Sequence, residues 1–131
     1  MHGFMAYDLH IERAGGLPIA LSEWRAAVGV TDGVRLFAAP AHTIKNPKTG
    51  EMISIAAREG DAEVLFPDGV WRSVFRWCGE SAVFASRFSP TETSHPIWRS
   101  AVALASRLGS VIRGDQGETY NFQTGKVASI R

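Results

Sequence analysis

"AEVLFPDGVWRSVFRW", residues 62–77, is two β-prone runs joined by Pro67-Asp68-Gly69. Each turn residue has its own job. Proline presets φ, aspartate can accept a hydrogen bond from its own backbone two residues on, and glycine takes the left-handed conformation. The stretch therefore predicts an antiparallel hairpin. In the returning arm, strand alternation puts Trp71, Ser73, Phe75 and Trp77 on one face and Arg72, Val74 and Arg76 on the other. That pattern predicts a row of buried aromatics backed by a solvated arginine row.

The neighbouring stretches repeat the device. "HTIKNPKTGEMISIA", residues 42–56, is a second pair of runs about an Asn-Pro…Gly turn, and "AVFASRF", residues 82–88, follows Gly79 as another strand. The middle of the chain thus reads as an antiparallel meander. Before it, "YDLHIER" (residues 7–13) alternates strictly, with Tyr7, Leu9, Ile11 and the stem of Arg13 opposite Asp8, His10 and Glu12. "AGGLP" breaks that strand, and Ser22 is placed to cap a helix over "EWRAAV", where Leu21, Trp24 and Val28 keep the spacing of a buried stripe. Asp32-Gly33 ends the helix and "VRLFAA" is a strand candidate.

After the meander comes "SPTETSHPIWRSAVALASRLGS", residues 89–110, the clearest helix. Ser94 or His95 caps it, Pro96 sits in its first turn and Gly109 closes it. Its apolar face is Ile97, Ala101, Leu104, Ala105 and Leu108. "SVIR" then leaves as a strand, "GDQG" turns and "ETYNF" returns. Together the elements predict an α+β fold. A single antiparallel sheet of about five to seven strands carries two helices packed on one face. Trp24, Trp71, Phe75, Trp77, Ile97, Trp98 and Leu108 are expected in or near the core.

The 131 residues suffice for one domain over 1–131, with residues 1–4 reading as an N-terminal extension. The net charge of +1 excludes a strong electrostatic pull toward a polyanion. Cys78 is alone, so no internal disulfide forms, which predicts a reducing, cytoplasmic setting. The N-terminus lacks the basic and apolar regions of a secretory signal, and no apolar run approaches the roughly 20 residues that span a bilayer.

Several stretches resemble sites. Arg113-Gly114-Asp115 matches an adhesion tripeptide, but integrin recognition needs export. Asp115 and Glu118 supply two carboxylates where calcium wants about six to eight oxygens. A turn with Gly117 at positive φ explains the same residues. Asp8, His10 and Glu12 stand in a row about 6.5–7 Å apart, the spacing of a proton relay or a metal site, with His42 and His95 as remote candidates to complete it. A small metal-dependent hydrolase is the corresponding alternative function. "RWCGES" around Cys78 has no strand-to-helix elbow to activate a nucleophile. "AGGLP" has neither the lysine nor the glycine pattern of a phosphate loop. Arg72 and Arg76 beside Trp71, Phe75 and Trp77 hint at RNA, but a stacking platform needs its aromatics exposed, and alternation buries them. No cofactor is implied.

"YDLHIER" running into a Gly/Pro break and "LSEW", two hairpins, and a late helix followed by "GDQGETY" resemble in layout the small bacterial α+β proteins, many of which act as toxin-immunity proteins. The resemblance implies a non-catalytic, cytoplasmic inhibitor that binds a toxin domain. It carries over no site residue. The expected contacts come from the polar sheet face and its turns. They fall in two groups: the acids Asp61, Glu63 and Asp68 near the 62–77 hairpin, and Arg72 with Arg76 on its returning arm. Membrane and nucleic acid are not expected partners.

Overall fold

The computed structural model describes residues 7–37, 42–55, 59–86, 88–89 and 91–129. Along the chain run β1 (Tyr7–Glu12), α1 (Leu21–Gly29), β2 (Val34–Leu36), β3 (His42–Lys45), β4 (Met52–Ile55), β5 (Ala62–Leu65), β6 (Trp71–Trp77), β7 (Ala82–Ser86), α2 (Pro96–Arg107), β8 (Val111–Gly114), β9 (Thr119–Tyr120) and β10 (Val127–Ser129). Eight of the strands form one sheet in the order β10-β9-β8-β1-β7-β6-β5-β2, and every pairing in it is antiparallel. The α+β class, the antiparallel sheet and the two helices are those the sequence predicts.

The strand count is corrected from five to seven up to eight. One addition is β10, whose three residues follow a turn around Asn121 that alternation does not reveal. The β3–β4 hairpin stands apart as a two-stranded sheet instead of joining the meander. The 1–4 extension lies outside the described residues.

β1 sits between β7 and β8, so its inward residues meet neighbours on both sides, and Leu9 and Ile11 are fully buried. Across the pairing, Leu9 faces Phe84 and Gly114, and Ile11 faces Ala82 and Ile112. Trp24, Ala27 and Val28 of α1, with Trp98, Ala101, Leu104 and Ala105 of α2, join these strand residues in one buried cluster. Both helices therefore cover the same side of the sheet.

At one end of this core, Trp24 stacks on Trp77 (ring centroids 5.7 Å apart, 18° between planes) and meets Phe75 edge-on at 5.8 Å. Its indole Nε1–H donates to the Gly60 carbonyl at 2.6 Å. Gly60 takes φ +85°, and a Cβ there would lie 2.6 Å from Trp77 Cβ and Cγ. The residue must be glycine twice over.

The helix ends show where local signals succeed. His95 is the N-cap of α2, its Nδ1 accepting from the Ile97 N–H at 3.2 Å, and Pro96 occupies N1. The imidazole also stacks on Phe88 at 4.2 Å and meets Phe66 edge-on. Gly109 at φ +60° closes the helix, with the Ser110 N–H reaching the Ala105 carbonyl in a Schellman arrangement. For α1 the expected Ser22 cap is corrected. The helix starts at Leu21, Ala20 holds the N-cap position, and Glu23 reaches back to accept the Ala20 N–H at 3.1 Å. The same carboxylate grips Arg13, whose guanidinium also donates to the carbonyls of Pro18 and Leu108. The hydrogen bonds from Arg13, then the one from Ala20, hold the Glu23 carboxyl down to about 2.

His95→Leu should therefore cost about 1–2 kcal/mol through the lost cap, while His95→Asn, which restores a capping acceptor, should recover part of that loss. Urea melts of the two variants measure the difference. Equal losses would mean that ring stacking, not the cap, is what His95 supplies.

Candidate binding surface

The side of the sheet away from the helices is where the polar strand residues gather. Asp8, His10 and Glu12 of β1 point there, as the alternation requires. Pairing sets Arg113, His10, Val83 and Arg76 in one row across β8, β1, β7 and β6. Within this surface the side chains of β1 are tied in opposite directions. His10 Nε2 lies 3.2 Å from Asp115 Oδ1, and Arg113 Nε is 2.7 Å from Glu12 Oε1. Among the described residues no group of three or more His, Cys, Asp and Glu side chains is placed to hold a metal. The row Asp8, His10, Glu12 exists, but two of its three members are already engaged, His10 by Asp115 and Glu12 by Arg113. His95 is committed to the α2 cap, on the helix side of the sheet. The side chain of His42 lies outside the described residues.

The returning arm of the hairpin does not keep its alternation. Ala62 faces Phe75 and Glu63 faces Ser73, so Val74 is the extra residue of a β-bulge. Beyond it the faces exchange. Phe75 and Trp77 stay on the helix side, whereas Trp71 and Ser73 turn outward. The expectation that Trp71 shares the core row is thus corrected, and so is the pairing of Arg72 with Arg76 on one face. Arg72 lies opposite buried Val64, with its guanidinium 4.5 Å from the Phe66 ring centroid. Arg76 alone of the two stays outward.

The bulge creates an arrangement that alternation could not forecast. The Arg35 guanidinium lies 4.0 Å over the Trp71 ring and also donates from Nε to Glu63 Oε1 at 2.9 Å. Leu65, the cross-strand neighbour of Trp71, is 39% exposed, and Phe37, at the far end of the same edge, is 40% exposed. The only clue in the sequence was Arg35 itself, a charged residue between Val34 and Leu36 in a strand.

The three acids named from sequence do not stand together. Asp61 and Asp68 flank β5 at its two ends. Asp61 Oδ1 accepts the Trp77 N–H at 3.0 Å. Asp68 accepts the Val70 N–H, as the turn chemistry requires, and is paired with both Arg72 amino groups. The hydrogen bonds from Arg72, then from Val70, lower the Asp68 carboxyl below its ordinary value. Only Glu63 lies within the Arg35–Trp71 cluster.

The 114–118 loop is a turn, with the Gly117 N–H on the Gly114 carbonyl and Gly117 at φ +82°. Yet Glu118 does more than return the chain. Its carboxylate is buried, with Oε2 accepting from both Tyr7 and Tyr120 hydroxyls at 2.8 Å and Oε1 from the Gln116 N–H at 3.1 Å. Burial pushes its pKa up, but the hydrogen bonds from Tyr7 and Tyr120, with those from the Glu118 and Gln116 backbone, together more than offset that and leave it below the ordinary value. Burial, then the hydrogen bond to Glu118, raises both tyrosines. Cys78 is exposed beside the β6–β7 turn, and its sulfur contacts the Arg76 carbonyl at 3.8 Å. Among the described residues no helix is long and apolar enough to cross a membrane. No family model, curated protein or solved structure matches this chain.

Proposed function

We propose that this is a non-catalytic, cytoplasmic binding protein, an immunity-type inhibitor that occupies a bacterial toxin domain through the outer face of its sheet. The observation that supports the reading is Trp71 under Arg35 beside exposed Leu65. Tryptophan and arginine are the residues that most often dominate binding energy, and an aromatic held in place by a cation loses little freedom on docking. Both helices cover the opposite side, and Leu65 and Phe37 are partly exposed here.

Of the acids expected to plug a basic cleft, Glu63 belongs to this surface through its pair with Arg35. Asp61 and Asp68 support the hairpin from either end, so reversing their charge would disturb folding as well as binding. Trp71→Ala is the cleaner probe. It should weaken toxin binding by about 2 kcal/mol or more, roughly thirty-fold, without loss of the folded state. Co-expression with the toxin-like product of a neighbouring gene is the direct test. Cells should survive with the wild-type chain and die with Trp71→Ala. If the toxin kills equally with and without the wild-type protein, the proposal fails.

A further inference from the structure

The geometry points to a binding site for a small organic phosphate, in a cleft between α2 and the turn that leaves α1. The cleft has a volume of about 420 Å³, lies on the helix side of the sheet and shares Leu65 with the rim of the toxin-facing surface proposed above. Arg99, Ser100 and Arg107 border it from α2, and Asp32 and Gly33 from the turn, with half-exposed Leu65 of β5 at its edge.

What marks the cleft is a surplus of donors. Arg99 and Arg107 stand eight residues apart on one helix, about 12 Å along its axis, so both long side chains can reach a group held between them. Among the described residues neither guanidinium has a carboxylate or carbonyl partner, although the Arg13, Arg35, Arg72 and Arg113 side chains are all paired. The Ser100 hydroxyl and the Asp32 and Gly33 amides have no acceptor among the described residues.

A carboxylate offers only about four lone-pair sites, fewer than two guanidinium forks, a hydroxyl and two amides can fill. A phosphoryl group, with three strongly accepting oxygens and about two negative charges, uses them better. The volume is at the scale of small-molecule pockets, about 300–1,000 Å³, and exceeds what a bare phosphate fills, so the ligand carries an organic body. Asp32 supplies the one carboxylate on the rim, and it opposes an anion.

Titration of the full ¹⁵N-labelled chain with glycerol 3-phosphate, inorganic phosphate and succinate, at matched ionic strength, tests this assignment. Glycerol 3-phosphate should bind saturably and shift the Asp32, Gly33 and Ser100 amides, with inorganic phosphate weaker and succinate weaker still. Arg99→Gln and Arg107→Gln should each weaken it about ten-fold or more, the size of one charge-assisted contact, and leave the melting temperature unchanged. Asp32→Asn should tighten it, a gain that a merely structural role for the cleft does not produce. Shifts that fail to saturate, or that survive both arginine substitutions, would overturn the site. Succinate binding as tightly would overturn the phosphoryl assignment, and inorganic phosphate binding as tightly would overturn the ester.

Discussion

Gly60→Ala should destabilise the fold by about 2–4 kcal/mol, whereas Gly69→Ala should cost only about 1 kcal/mol. The two glycines have nearly the same backbone, φ +85° and φ +81°. Each alanine therefore bears a similar left-handed penalty of about 1 kcal/mol. They differ in what a side chain would meet. At Gly69 a Cβ finds nothing within 4 Å, but at Gly60 it lies 2.6 Å from Trp77 Cβ and Cγ. Those atoms are close to the Trp77 backbone and cannot swing aside, and the ring beyond them is stacked on Trp24. Relief must move either the stack or the Gly60 carbonyl that accepts the Trp24 indole N–H. Overpacking of this kind adds about 1–3 kcal/mol. Urea denaturation of the pair reads the difference directly, since the shared backbone term cancels. Equal losses would mean that the Trp77 side of the knot yields freely.

The same corner shows why part of the fold was legible and part was not. Trp24, Phe75 and Trp77 could be assigned to the core from spacing alone, because a period of 3.6 or 2 fixes which side chains share a face. Trp71 could not. One extra residue at Val74 exchanges the faces of the strand, and nothing in "VWRSVFRW" announces it: the apolar and polar residues alternate plausibly on either register. Since that exchange carries Trp71 out to Arg35 and Arg72 over to Phe66, alternation places the binding surface wrongly where the periodic signal breaks, although the residue types are plain in the sequence. Caps and turns were read more reliably at His95, Gly109, Asp68 and Gly117, since each depends on neighbours a few residues away. The Ala20 start of α1 was missed because its acceptor comes from Glu23, three residues on, and not from the capping position itself.

Glu118 is the extreme case of a role invisible in sequence, since Tyr7 lies 111 residues away. It also gives the second large expected effect. Tyr7→Phe with Tyr120→Phe should cost about 3–6 kcal/mol at neutral pH, each hydroxyl being a donor to a buried charge worth about 1.5–3 kcal/mol. The change should also weaken the pH dependence of this site. In the wild-type chain the folded carboxyl is lowered, so its stabilisation is present above the unfolded value near 4.3 and is lost as pH falls through the folded value. Removing both hydroxyls leaves burial as the largest influence, and burial raises a carboxyl. Only the backbone hydrogen bonds from Glu118 and Gln116 then oppose burial, so the folded value rises and the stabilisation present above the unfolded value near 4.3 shrinks. The wild-type chain should therefore gain stability from pH 4 to pH 7 relative to the double variant, with the gap widest at neutral pH. Gly114→Ala offers a check from the other side, because a Cβ at Gly114 would strike the Glu118 carboxylate and push it off the tyrosines. Its loss should likewise shrink toward pH 4, where a protonated carboxyl needs the two donors less. A wild-type-minus-variant difference that stays flat between pH 4 and pH 7 would show that the tyrosines hold Glu118 by packing and not by charge.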